Sequence, residues 1–217
     1  MAVKVGLKFI EKWNESMEDE VLAYEAEAVE KGQIVFYGPS NFTRWSKRFG
    51  MKPMREELLG KSGAQCVVNR GFGSSCAEHQ LYYYPRLIRP LEPKVLVYSC
   101  YGNGGAFGYT DDEIWELAMR VVAYARTDFP DIRIYLCGPG AGPKVTPEGK
   151  EKRKVFCQRL KDFAEETPNC FYIDSMNYTP IQRDDIYVED RVHFNQEGYD
   201  LYKGLFQDAL KAELDEF

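Results

Sequence analysis

Histidine is scarce in this chain: there are two, His79 and His193. Any chemistry that needs an imidazole base has those two candidates. The six cysteines, at 66, 76, 100, 137, 157 and 170, form no Cys-x-x-Cys pair. With the histidines far apart as well, no zinc-type ligand cluster is expected, and no metal. The thiols are read as reduced and packed as small apolar residues. Positive charge is not in surplus either. The 28 Lys and Arg stand against 34 Asp and Glu, a formal net charge of −6. Neutralising phosphates needs the opposite balance, so nucleic acid is excluded as a main partner. No apolar run approaches a membrane span in length. Met1–Ile10 lacks the apolar core and small-residue cleavage site of a secretory leader, so a soluble, cytoplasmic protein is expected. No repeat, low-complexity tract or linker divides the chain.

What is present is apolar mass. Of 217 residues, 44% are hydrophobic and 14% aromatic. That is enough for a substantial core and too much for disorder. Residues 1–217 are read as one domain. The sequence assigns no oligomeric state.

Short β-rich runs lie at Ile34–Tyr37, Cys66–Asn69, Val95–Tyr98, Ile132–Leu136 and Phe171–Ile173. Nearly all apolar, they fit strands covered on both faces. Helical patterns separate them. Ile114, Leu117, Ala118, Val121, Val122 and Ala125 form a 3.6-period stripe, and Thr110 to Glu113 has capping-box spacing before it. Thr146-Pro147 offers a second helix start, with Phe156, Leu160 and Phe163 on the buried face. Leu201, Tyr202, Leu205, Phe206, Ala209 and Leu210 mark a C-terminal helix. An acidic amphipathic segment at about 8–31 is predicted to pack as an extra helix. This alternation predicts a three-layer α/β/α sandwich around a five-stranded parallel sheet. Ligands of such sheets bind beyond the carboxyl ends of the strands.

The loops leaving those ends carry the chemistry. They are Gly38-Pro39-Ser40-Asn41-Phe42-Thr43-Arg44-Trp45, Asn69-Arg70-Gly71-Phe72-Gly73-Ser74-Ser75, Tyr101-Gly102-Asn103-Gly104-Gly105, Gly138-Pro139-Gly140-Ala141-Gly142-Pro143, and a long last loop ending in Asp190-Arg191-Val192-His193. Together they offer a hydroxyl, an imidazole, a carboxylate and backbone amides, the parts of nucleophilic acyl transfer. A serine hydroxyl needs a base to take its proton, and the base needs a partner on its other ring nitrogen. Asp190, three residues before His193, is spaced to reach Nδ1 while Nε2 points elsewhere. Oxyanion donors are available from the Ser40 amide, an amide of the Gly73–Ser74 turn and the Asn103 side chain.

These blocks resemble the SGNH (GDSL-type) esterases and acylhydrolases, in order and spacing, over roughly residues 10–215. The resemblance implies the flavodoxin-like fold of that family. It also implies a serine esterase acting on a small-molecule acyl ester through an acyl-enzyme, with no cofactor. By the same resemblance Ser40 is the nucleophile, His193 the base and Asp190 its orienting acid. The oxyanion donors become the Ser40 and Ser74 amides and the Asn103 side chain. Gly73 and Gly140 are expected to line the substrate pocket. A small acyl group on a small polar alcohol is favoured, because no apolar lid segment is present.

The chain departs from the family pattern in several places. The arginine of the first block falls one residue late, at Arg44. Pro39 replaces the usual residue before the nucleophile, and Gly104 replaces an aspartate. Ser74 stands where the family has glycine, so it is strained if that turn uses a positive φ. Two alternatives follow. One is a binding protein on the same scaffold that has lost turnover through Ser74 and Pro39. The other is a flavodoxin-like nucleotide or phosphate binder using Gly138–Gly142, although that run lacks the Gly-Lys-Ser/Thr ending of a phosphate loop. Three further readings are structural. His79 is expected as a partly exposed helix histidine. Of Tyr82, Tyr83 and Tyr84, at least one must face outward, because neighbours cannot share a helix face. Gly38-x-Ser40-x-Phe42 lacks the second glycine of an α/β-hydrolase elbow.

Overall fold

The five apolar runs pair as one all-parallel sheet. The structure, a computed structural model, describes residues 14–217. The strands are β1 (Ile34–Gly38), β2 (Val67–Gly71), β3 (Val95–Tyr98), β4 (Arg133–Cys137) and β5 (Cys170–Ile173), in the order β2-β1-β3-β4-β5. Each lies within two residues of its predicted run. β1 is an interior strand, with Ile34 opposite Val67 on one side and Val95 on the other.

Alternation along the strands builds two cores. Val35, Tyr37, Leu96 and Tyr98 join one core; Ile34, Phe36, Val95 and Val97 join the other. The first is covered by α1 (Asn14–Glu25), α4 (Ala77–Leu87), α5 (Asp111–Asp128) and α6 (Pro147–Glu166). The second is covered by α2 (Ser40–Thr43), α3 (Met54–Glu57), α7 (Gln196–Ala209) and α8 (Lys211–Leu214). The result is the predicted three-layer α/β/α sandwich.

Side-chain caps set the helix starts. The Glu113 amide donates to Thr110 Oγ1 at 3.2 Å, and the Thr110 amide returns to Glu113 Oε2 at 2.9 Å. Thr146 caps α6 through the Gly149 amide, and Asn195 caps α7 through the Gly198 amide. A cap of this kind is worth about 1 kcal/mol.

Two expectations are corrected. The N-terminal helix stops short of residue 31. It ends at Glu25, where the Glu27 amide bonds the Tyr24 carbonyl at 3.2 Å and tightens the last turn. Residues 8–13 lie outside the described ones. His79 is not partly exposed but fully buried. It sits at the third position of α4, where its Nδ1 accepts the Cys76 amide at 3.2 Å, and its ring packs edge-on against Phe107 at 5.5 Å. A polar ring able to satisfy a helix-start amide can be buried there.

The tyrosine triplet divides as its spacing requires: Tyr83 and Tyr84 are buried, while Tyr82 is 48% exposed. All six cysteines are free and buried. Among the described residues, no helix is long and apolar enough to cross a membrane.

The end of β2 presses on α2. A Cβ at Gly71 would lie 2.5 Å from Phe42 Cβ and 2.7 Å from the Thr43 amide nitrogen. Gly71→Ala should therefore cost about 1–3 kcal/mol, as overpacking does, read as a lower urea midpoint. An unchanged midpoint would mean that α2 is free to shift.

Candidate active site

The strand order creates the site. From β1 the chain passes to β2 on one side, then crosses to β3 on the other. The loops leaving β1 and β3 diverge there and open a crevice. A cavity of about 260 Å³ lies at this point, lined by Pro39, Ser40, Tyr101, Gly102 and Asn103 among others. Pro39 fits closely into it: a Cβ at Gly102 would meet Pro39 Cγ at 2.5 Å, so only glycine lets the β1 and β3 loops approach this far.

Ser40 opens α2 directly after β1. Its amide is one of the first-turn donors that a helix leaves without an internal partner. His193 comes from the hairpin-like loop after β5. There Tyr187 and Phe194 form an antiparallel bridge, the Val188 amide donates to the His193 carbonyl at 2.9 Å, and Arg191 turns the chain with φ 55°. Inside this turn Asp190 Oδ1 accepts the Val192 amide at 2.8 Å and the His193 amide at 2.9 Å. That leaves Oδ2 for the imidazole, with His193 Nδ1 donating to it at 2.7 Å. A carboxylate only accepts, so the proton is on Nδ1 and Nε2 is the acceptor. Ser40 Oγ donates to that Nε2 at 2.8 Å. The hydroxyl, ring and carboxylate stand in one hydrogen-bonded row that can carry a proton from oxygen to imidazole.

The charges suit this use. Burial lowers the His193 pKa below its ordinary 6.5, and the nearby Arg44 adds to the effect, while Asp190 opposes it. Burial works against the ionised form of Asp190. The hydrogen bonds from the His193 side chain and from the His193 and Val192 amides outweigh it, and hold the carboxyl well below the usual carboxylate range. Arg44 Nη1 also lies 3.5 Å from Asp190 Oδ2. At neutral pH the row therefore holds a neutral imidazole and an ionised carboxylate.

The other blocks are laced to β1. The Phe72 amide donates to the Gly38 carbonyl at 3.0 Å, and Asn103 Nδ2 donates to the Ser75 carbonyl at 2.9 Å. Asn103 is left-handed, with φ 60°, a region asparagine tolerates. Its second Nδ2 hydrogen remains for another acceptor. Ser74 is left-handed too, with φ 59°. Serine thus takes the backbone conformation that favours glycine. Its amide donates to no protein group among the described residues.

Gly73 departs from expectation. It does not line the cavity, which Gly140 and Gly142 do. Its amide is taken by Glu20 of α1 at 3.0 Å, so of this turn's two amides it is the Ser74 one that stays unclaimed. Of the run Gly138–Gly142, Pro139, Gly140 and Gly142 line the cavity, and the run is separated from the start of α6 at Pro147. Among the described residues, no three His, Cys, Asp or Glu side chains are grouped to hold a metal ion.

Three contributors escaped the sequence reading. Arg44 was visible only as a displaced motif residue. Tyr199 of α7 donates its hydroxyl to the Asn41 carbonyl at 2.9 Å and stacks on Trp45 at 5.2 Å, pinning α2 to the helix after His193. Arg153 lines the cavity from α6. It stands three residues before Phe156, on the inward stripe with Leu160 and Phe163, and that spacing was the available signal.

A family model described as the GDSL-like lipase/acylhydrolase family matches residues 36–201. The chain belongs to this family. Solved structures agree on the fold. One from Streptococcus pneumonia, provisionally described as a platelet activating factor, is 16% identical with a TM-score of 0.74, covering 93% of this chain and 96% of its own. A GDSL-like lipase from Bacteroides thetaiotaomicron is 18% identical with a TM-score of 0.70, covering 91% of this chain and 98% of its own. A protein from Bacteroides fragilis, provisionally described as an acylhydrolase, is 19% identical with a TM-score of 0.70, covering 93% and 96%. No curated protein matches the chain significantly. Membership of the GDSL-like family makes a hydrolase the expected class, and the fold is that of its SGNH members.

Two tests of the geometry need no substrate. The His193 imidazole should titrate below 6.5 by NMR, and Arg44→Gln should raise that pKa by removing a positive neighbour. A shift the other way would mean that Arg44 acts mainly by holding Asp190. Ser74→Gly relieves a left-handed non-glycine residue and should stabilise the fold by up to about 1 kcal/mol. A lower unfolding midpoint would show that the serine is not strained.

Proposed function

We propose that this GDSL-like hydrolase is a serine esterase that cleaves a carboxylic ester through an acyl-enzyme. The observation that carries this reading is the row Ser40–His193–Asp190, with contacts of 2.8 and 2.7 Å, at the wall of the switch-point cavity. Ser40 Oγ attacks the ester carbonyl carbon while its proton passes to His193 Nε2. The carbonyl oxygen becomes an oxyanion, held by the Ser40 and Ser74 amides and Asn103 Nδ2. His193, held by Asp190, gives the proton to the leaving alcohol oxygen as the C–O bond breaks. Water then attacks the acyl-enzyme, with His193 again taking the proton, and releases the acid and free Ser40. The sequence needs no cofactor.

The cavity supports a short acyl group. At about 260 Å³ it is smaller than most sites for drug-sized ligands, and its walls mix glycine, proline and tyrosine with polar groups. A small polar alcohol on the other side of the ester is the matching reading. The left-handed conformation of Ser74 also bears on the binding-only alternative. The amide is carried by a backbone in the region favoured by glycine, so the substitution need not misaim it.

The test is direct. A fluorophosphonate probe should label wild type and fail on Ser40→Ala. Among p-nitrophenyl esters from acetate to palmitate, the short esters should turn over fastest. Ser40→Ala and His193→Ala should each reduce kcat by about ten thousandfold or more. His79→Ala, which removes a buried helix-start partner, should lower stability yet leave folded protein open to labelling. A folded wild type that is neither labelled nor active would sink the esterase reading and favour the binding one.

A further inference from the structure

The charge lining the cavity is of one sign. Lys144, Arg153 and Arg191 line it, and among the described residues no Asp or Glu does. This is notable in a chain whose formal net charge is −6. Lys144 and Arg191 are exposed, and Arg191 is 3.4 Å from Asp184. Arg153 is different. It is half-buried, reaching into the cavity from α6 between Tyr101, whose ring lies 5.8 Å from its guanidinium, and the Gly140 carbonyl, which accepts from Nη1.

Most other buried or half-buried arginines end on carboxylates. Arg70 meets Glu27, Arg86 meets Glu18 and Glu25, and Arg133 meets Glu213 and Glu216. Arg153 pairs with no carboxylate among the described residues. Arg126 also lacks one, but it donates to the Pro168 carbonyl and lines no part of this cavity. A guanidinium presents five donors in a planar fork, and Arg153 spends one on Gly140. Burial pulls its pKa down, which states the same fact energetically: the charge is held in a poorly solvated place without a compensating anion.

We propose that the ester taken by this site carries a second, anionic group, a carboxylate or a phosphate, and that the Arg153 fork binds it. The inference rests on the esterase reading and names its substrate class. Arg153 selects the substrate; Lys144 and Arg191 at the rim add long-range attraction. Charge-assisted, partly buried hydrogen bonds of this kind are worth about tenfold or more in affinity.

The experiment compares matched pairs. One pair is mono-p-nitrophenyl glutarate against p-nitrophenyl valerate; the other is O-acetylglycerol phosphate against O-acetylglycerol. The anionic member should have the higher kcat/KM by about tenfold or more in at least one pair. Which pair shows it separates carboxylate from phosphate. Arg153→Gln should collapse that ratio toward one, mainly through KM of the anionic ester. Lys154→Gln, the same charge change at an exposed neighbour on α6, should leave the ratio intact. Equal kcat/KM within both pairs, or a ratio unaltered by Arg153→Gln, would overturn the proposal.

Binding separates this from failure of the esterase reading. Ser40→Ala cannot turn the ester over, so calorimetry with mono-p-nitrophenyl glutarate and with O-acetylglycerol phosphate reads the anion site alone. Adding Arg153→Gln should weaken binding of the preferred probe by about tenfold. Such a loss would uphold the anion site even in a protein that hydrolyses no ester; equal affinities for both probes with and without Arg153 would end it.

Discussion

The proposed chemistry depends on holding two side chains, 153 residues apart in sequence, at a hydrogen-bond distance of 2.8 Å. Ser40 rides on a helix of four residues, and His193 rides on a loop. Neither support is rigid alone. The precision comes from the aromatic layer between α2 and α7. Tyr199 stacks on Trp45 and bonds the Asn41 carbonyl, while Phe36, Phe42 and Phe206 pack edge to face at 5.0 to 6.0 Å. Trp45 is held in turn by Glu57, which accepts its indole N–H at 2.7 Å. Such ring pairs add to the burial energy and fix geometry at the same time. The high aromatic content thus has a positional role beyond bulk: it sets the registry between Ser40 and His193.

The sheet order supplies the second constraint. With β1 inside the sheet and the chain reversing direction of addition around it, three loops converge where the β1 and β3 exits part. A backbone bond from Phe72 to Gly38 and the Asn103 side chain on the Ser75 carbonyl then lace them. The departures from the family pattern fit into this lacing. Pro39 removes an amide but packs on Gly102; Ser74 adds a side chain but keeps a left-handed backbone. Both changes touch residues whose role is carried by the main chain.

How far this was legible in the sequence depends on the distance over which each feature is determined. Strands and helix caps are local, and Ile34–Tyr37, Thr110–Glu113 and Thr146 all read correctly. The Asp190–His193 pair was legible because a three-residue spacing in a tight turn is also local. Burial of His79 was not, because it required knowing that Phe107, from the loop after β3, covers the start of α4. The diversion of the Gly73 amide to Glu20 joins residues 53 apart, and no spacing rule reports that. The N-terminal helix was drawn too long because charge pattern alone does not mark its end. Arg153 lay on a legible stripe, but an arginine on an inward face is read by default as a snorkelling side chain.

Electrostatics tie these observations together. Near the row, negative charge is confined: Asp190 is spent on His193 and on two amides, and Arg44 stands beside it. In the cavity lining, the positive charge of Arg153 is left without a carboxylate partner. An imidazole held neutral by burial and Arg44 can accept the Ser40 proton near neutral pH, whereas a second carboxylate facing it would favour the protonated, inactive ring. Among the described residues the lining holds no Asp or Glu, which suits the proposed base as well as the proposed anionic substrate. The same absence of acids that would leave His193 free to act as a base leaves Arg153 without a counter-charge, so in this site the two properties follow from one choice of residues.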